Sequence, residues 1–114
     1  MIESYQFGQM IIDKVVYKND VIVFPDRVQA NWWRKEGHTL QCDDIREALE
    51  EAKPRILVVG TGKFGIMRVS KEVEEYLQAR NITLYAENTE KAIKIYNRSI
   101  LTDDKVLGAF HLTC

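Results

Sequence analysis

Gly60-Thr61-Gly62-Lys63-Phe64-Gly65 follows directly on the apolar run Ile56-Leu57-Val58-Val59, so a G-x-G-x-x-G spacing stands at the end of a buried strand. Glycines at such a point let the backbone turn sharply, and they let backbone amides approach a bound anion. The dinucleotide-binding form of this loop needs a helix opening within the glycines and an acidic residue ~20 positions further on. Glu87 falls near the second requirement, but residues 65–69 are apolar and extended in character and separate the loop from the next helix start at Ser70. No Ser or Thr follows Lys63, so the loop is not a P-loop either. The plain expectation is a chain reversal. The chemical one is an anion or small-ligand site made by Gly60, Thr61, Gly62, Lys63, Gly65 and Arg68.

Two further segments carry reactive or recognition-prone side chains. Trp32-Trp33-Arg34-Lys35-Glu36-Gly37-His38 gathers both tryptophans of the chain, two cations and one of two histidines. In an extended backbone the two indoles point to opposite sides, one inward and one to solvent. Trp33, Arg34 and His38 are therefore the candidate partner-binding residues, because Trp and Arg are enriched at interface hot spots. The competing expectation has the indoles closing a core edge with Arg34 and Lys35 in water. At the other end, His111-Leu112-Thr113-Cys114 offers an imidazole and a thiol. Strand parity puts His111 and Thr113 on one face and Leu112 and Cys114 on the other, so pairing His111 with Cys114 requires the strand to break. A metal site would need two further ligands, for which Cys42 and His38 are only loosely placed. No metal and no cofactor are expected.

The elements around these segments follow from pattern. Ser4–Phe7, Met10–Ile12, Val15–Tyr17 and Asp20–Phe24 are short β-prone runs separated by turn residues. Asp43 or Asp44 opens a helix that Pro54 stops, and Asp44 with Glu47 three residues on has capping-box spacing. Ser70 caps a second helix ended by Asn81, Ile82–Ala86 is a strand, Thr89 caps a third helix running to about Asn97, and Val106–Leu112 is the last strand. Alternating strands and helices of this length make an α/β sandwich with a β-rich N-terminal addition, one domain over residues 1–114.

Composition narrows the function classes. With 46% hydrophobic and 29% charged residues the chain is of ordinary globular character. Its 16 basic and 17 acidic residues are interspersed, which argues against nucleic acid as partner. No apolar run approaches the ~18 residues of a membrane span. Two cysteines make no disulfide framework, and no signal or Arg-rich leader opens the sequence, so a reducing cytoplasm is the expected setting.

In order along the chain, Gly8-Gln9, Val21-Ile22-Val23-Phe24-Pro25-Asp26, Trp33 to His38, Val59-Gly60-Thr61-Gly62, Thr89 with Ala92 and Tyr96-Asn97, and the closing His111-Leu112-Thr113-Cys114 occur together. This combination resembles the family of domains of unknown function that includes the adipogenesis-associated proteins and mitochondrial complex I assembly factor three. The resemblance implies a compact three-layer α/β fold with a mixed central sheet, three helices and a β-rich side element. It implies no reaction or cofactor, and for some relatives it implies action through protein partners. A non-enzymatic binding or assembly role with an unidentified protein partner is the leading expectation. The alternative is a small anionic-ligand or nucleotide-binding protein, enzymatic or not, built on Gly60–Gly65. Self-association through an exposed edge strand of the N-terminal third is a third.

Overall fold

The computed structural model describes residues 1–114. Its middle layer is a mixed five-stranded sheet in the order β5-β4-β10-β7-β9, with β4 Val21–Val23, β5 Val28–Gln29, β7 Ile56–Thr61, β9 Thr83–Glu87 and β10 Val106–His111. β7 runs parallel to both β9 and β10, whereas β4 pairs antiparallel with β10. Parallel strands flanked on both sides have to be apolar on both faces, and β7 and β10 are buried at almost every position.

Pleating sends alternate residues of these strands into two separate cores. Leu57 and Val59 of β7, with Leu107 and Ala109 of β10, meet α1 (Cys42–Ala52) and α2 (Lys71–Ala79) through Ile45, Leu49, Val73 and Leu77. Val58, Val106 and Phe110 face the other way. There they pack on Ala92 and Tyr96 of α3 (Thr89–Ser99) and on Ile2, Met10 and Ile12 of a three-stranded meander, β1 Ile2–Gln6, β2 Gln9–Ile12 and β3 Val15–Tyr17. The Asn97 side chain fastens that meander to α3, accepting from Ile2 N–H at 2.9 Å and donating to Ile2 C=O at 2.8 Å. Three layers, three helices, a mixed sheet and a β-rich N-terminal element are thus all present.

Several boundaries differ from the pattern-based expectation, for local reasons. The first strand starts at Ile2 because its pairing with β2 reaches Ile12. α1 is capped from Gln41, and Asp44 is its third residue, whose carboxylate accepts from Gln41 N–H at 2.8 Å. α3 is capped by Asn88, whose side-chain oxygen accepts from Lys91 N–H at 3.0 Å, and not by Thr89, whose hydroxyl is committed elsewhere. Ser70 does cap α2, accepting from Val73 N–H at 3.3 Å. A small parallel pair, β6 Thr39–Leu40 with β8 Arg68–Val69, ties the segment after Trp33 to the stretch after the glycine loop.

Candidate functional site

Loops leaving the carboxyl ends of β7 and β10 converge at one end of the sheet, where ligands of open α/β sheets usually bind. The glycine loop lies there, and the chain's own residues 111–114 lie against it. Gly62 N–H donates to Thr89 Oγ1 at 2.9 Å, and that hydroxyl donates onward to His111 C=O at 2.6 Å. One buried threonine thereby joins the ends of β7 and β10 and the first turn of α3, which is why it does not cap the helix. Lys63 N–H donates to Thr113 C=O at 2.6 Å and Ile66 N–H to Cys114 C=O at 3.3 Å. Gly65 N–H goes to Gly62 C=O and Met67 N–H to Thr61 C=O. Gly60 lets the start of α3 close onto β7, since a Cβ there would stand 2.8 Å from Thr89 Oγ1 and from Phe110 Cδ1. Lys63 Nζ is 3.7 Å from a Glu90 carboxylate oxygen, and Arg68 is exposed.

Beside this lock sits a buried polar cluster that no local pattern announces. Asp20, in the turn before β4, receives Leu112 N–H on Oδ1 at 2.8 Å. On Oδ2 it receives Arg34 Nη1 at 2.8 Å and lies 2.8 Å from His111 Nδ1. Arg34 Nη2 also lies 3.0 Å from His111 Nδ1, and one ring nitrogen cannot both give a proton to Asp20 and accept one from Arg34. The carboxylate is the stronger and closer partner, and Nη2 has its own acceptor in Gly37 C=O at 3.0 Å. Nδ1–H of His111 therefore donates to Asp20, leaving the Nε2 lone pair on the opposite edge of the ring. Burial pushes the Asp20 carboxyl upward. The hydrogen bonds from His111, Leu112 N–H and Arg34 outweigh it and hold the carboxyl below the usual range.

The Trp33 to His38 segment divides along these lines. Trp32 is buried, its Nε1–H donating to Asp44 C=O at 3.0 Å, and the Arg34 guanidinium lies 4.8 Å over its ring. Trp33 is 74% exposed. The Arg34 side chain is only 4% exposed and its Nε has no partner, so it is an internal strut and not a solvent-facing cation. His38 is exposed, with its ring 6.4 Å from that of His111 and its Nε2 3.7 Å from Cys114 Sγ. The strand break that parity demanded does occur: β10 ends at His111 and residues 112–114 leave the sheet, turning Cys114 back toward the imidazoles. Asp20, which the sequence places at the start of a β-prone run, and Thr89, which it places as a cap, prove central. Their only sequence signal is a polar residue beside an apolar run, and that is common.

Around this end stand four exposed large apolar side chains. Trp33 borders a hollow of about 250 Å3 with His111 and Thr113. Phe64, 70% exposed, and Ile66 belong to the loop bonded to Thr113 and Cys114. Phe7 precedes Gly8, whose N–H donates to Leu112 C=O at 2.8 Å.

No helix is long and apolar enough to cross a membrane. Among solved structures, the chain is similar to a conserved hypothetical protein from Pyrococcus horikoshii at 22% identity and TM-score 0.83, covering 100% of this chain and 99% of that one. It is similar to MT938 at 26% identity and TM-score 0.81, covering 100% and 98%. A Mth938-like domain from Bordetella pertussis matches at 18% identity and TM-score 0.78, over 98% of this chain and 85% of that one. These likenesses carry the fold. Residues 2–111 match the family described as protein of unknown function (DUF498/DUF598), and the chain belongs to that family.

Proposed function

We propose that this chain is a non-enzymatic protein-binding module that works in the reducing cytoplasm and docks a protein partner on the sheet end bearing Trp33. The observation that carries the reading is the exposure of Phe7, Trp33, Phe64 and Ile66, each on a segment that borders or bonds to residues 111–114. Large apolar side chains clustered at the surface mark interaction sites, and aromatics dominate their energetics. Beneath them the Asp20–Arg34–His111 cluster and the Thr89 lock make a rigid platform, which lowers the ordering cost of binding. The ligand reading of the glycine loop has less support, because the amides of Gly62, Lys63, Gly65, Ile66 and Met67 already have acceptors within the chain. Arg34 serves the proposed surface from below, and His38 lies on it.

A photo-crosslinking residue placed at position 33 or 64 should capture the same protein, and one placed at Lys94 on α3 should not. In the Trp33→Ala/Phe64→Ala variant, recovery of that protein should fall at least tenfold with an unchanged urea midpoint. Recovery equal to wild type would overturn the reading. Crosslinks to a second copy of the chain would replace a foreign partner with self-association.

A further inference from the structure

We infer that His38, His111 and Cys114 form a binding site for a tetrahedral divalent transition ion of the Zn2+ type, with the fourth position open to solvent. One ring nitrogen from each histidine and the Cys114 sulfur all lie within 4.8 Å of one another. A tetrahedral zinc ion with bonds of about 2.0–2.3 Å sets its donors roughly 3.3–3.6 Å apart. The His38 Nε2 to Cys114 Sγ separation of 3.7 Å is just above that edge length. The remaining distances close with side-chain rotations of an exposed histidine and a half-exposed cysteine.

The surrounding groups favour an ion over a bare contact among three side chains. Asp20 accepts Nδ1–H of His111, fixing the tautomer that offers Nε2, and this carboxylate–histidine arrangement is the usual support behind a metal-bound imidazole. His111 Cδ2, next to Nε2, faces the Gly62 position beside the Cys114 carbonyl, so that edge of the ring is turned toward residue 114. Arg34 is close, but its charge is offset by Asp20 at 2.8 Å. Two imidazoles and a thiolate suit a borderline-soft ion and select against Mg2+ or Ca2+. On binding, the thiol proton leaves to solvent and the sulfur bonds the ion as thiolate. Three protein ligands leave one position for water or an incoming donor. The site stands without the docking proposal, since neither Trp33 nor Phe64 takes part.

The test is titration of the chelator-treated, reduced full chain with Zn2+ against a chromophoric competitor, and with Co2+ followed by absorption. One ion per chain is expected. Its Co2+ form should show tetrahedral ligand-field bands and thiolate-to-metal charge transfer. His38→Gln, at an exposed position, and Cys114→Ser, at a half-exposed one, should each weaken binding about tenfold or more, and Cys114→Ser should abolish the charge-transfer band. Partner capture by the crosslinker at position 33 is scored separately in metal-free protein, so the two proposals fail independently. The site is overturned by an absence of 1:1 binding, by an octahedral Co2+ spectrum, or by either variant binding within tenfold of wild type.

Discussion

Gly62 has φ +104°, and a Cβ there would stand 2.5 Å from the carbonyl carbon and oxygen of Cys114 and 2.9 Å from His111 Cδ2. Backbone cannot step aside as the end of a side chain can, so Gly62→Ala adds steric displacement to conformational strain. It should cost about 3 kcal/mol or more. Gly65 has φ +67° but its nearest neighbour to a built Cβ is Thr61 Oγ1 at 3.6 Å. Gly65→Ala therefore bears only the left-handed penalty, about 1–2 kcal/mol. Urea midpoints at equal m-values separate the two, and equal losses would mean that the fit of Gly62 against residue 114 carries no weight. Asp20 presents a different case. Its partner Arg34 is buried, and removing one member of a buried pair leaves an uncompensated charge. Asp20→Asn should cost about 3 kcal/mol, near the low end for such losses because the Asp20 side chain keeps 14% exposure. A loss under ~1 kcal/mol in the same assay would show that hydrogen bonding alone, and not charge, holds Arg34.

At the scale of elements, α3 separates capping from locking. Asn88→Ala removes an N-cap acceptor at the surface and should cost about 1 kcal/mol. Thr89→Val keeps the shape of a fully buried side chain but strips the Gly62 N–H and the His111 C=O of their partner. Two buried groups left unmade should bring that loss to about 2–4 kcal/mol. Thermal or urea unfolding of the pair decides the order, and Asn88→Ala proving the costlier would remove Thr89 from its central place. The same helix shows what local pattern can and cannot tell. Ser70 was readable as a cap because no tertiary partner competes for its hydroxyl, whereas Thr89 looks equally cap-like and its hydroxyl goes to a neighbour 22 residues away. Long apolar runs such as Ile56 to Val59 announced their strand, since burial on both faces leaves no polar position. Val28–Gln29, Thr39–Leu40 and Arg68–Val69 are two-residue strands that carry no period and exist only through their partners.

Over the whole molecule, part of the candidate site was legible as residue types, without Asp20 and Thr89, and none of it as an arrangement. Trp33, His38, His111 and Cys114 all stood out by type, yet His111 lies 91 positions from Asp20, and His38 lies 76 from Cys114. Nothing local signals such pairings. They follow from β10 entering the sheet between β4 and β7, which brings the last residues over both the Asp20 turn and the glycine loop. That central insertion also packs Tyr96 of α3 edge-on against Phe110 of β10, ring centroids 5.7 Å apart. Burial, with the nearby Asp13 carboxylate adding to it, pushes the Tyr96 phenol up to about 12. An unfolded tyrosine titrates near 10, so the native state holds this proton more tightly than the unfolded state does. The stability linked to it is fully present below pH 10 and is lost as pH rises toward 12, about 2–3 kcal/mol in all. Tyr96→Phe keeps the ring contact and removes the proton. Its stability should match wild type within ~1 kcal/mol at pH 7 and fall less steeply between pH 10 and 12, as read by urea unfolding across that range. Parallel alkaline limbs in the two proteins would show that the Tyr96 hydroxyl reaches solvent freely and that the packing of α3 on β10 is looser than its geometry.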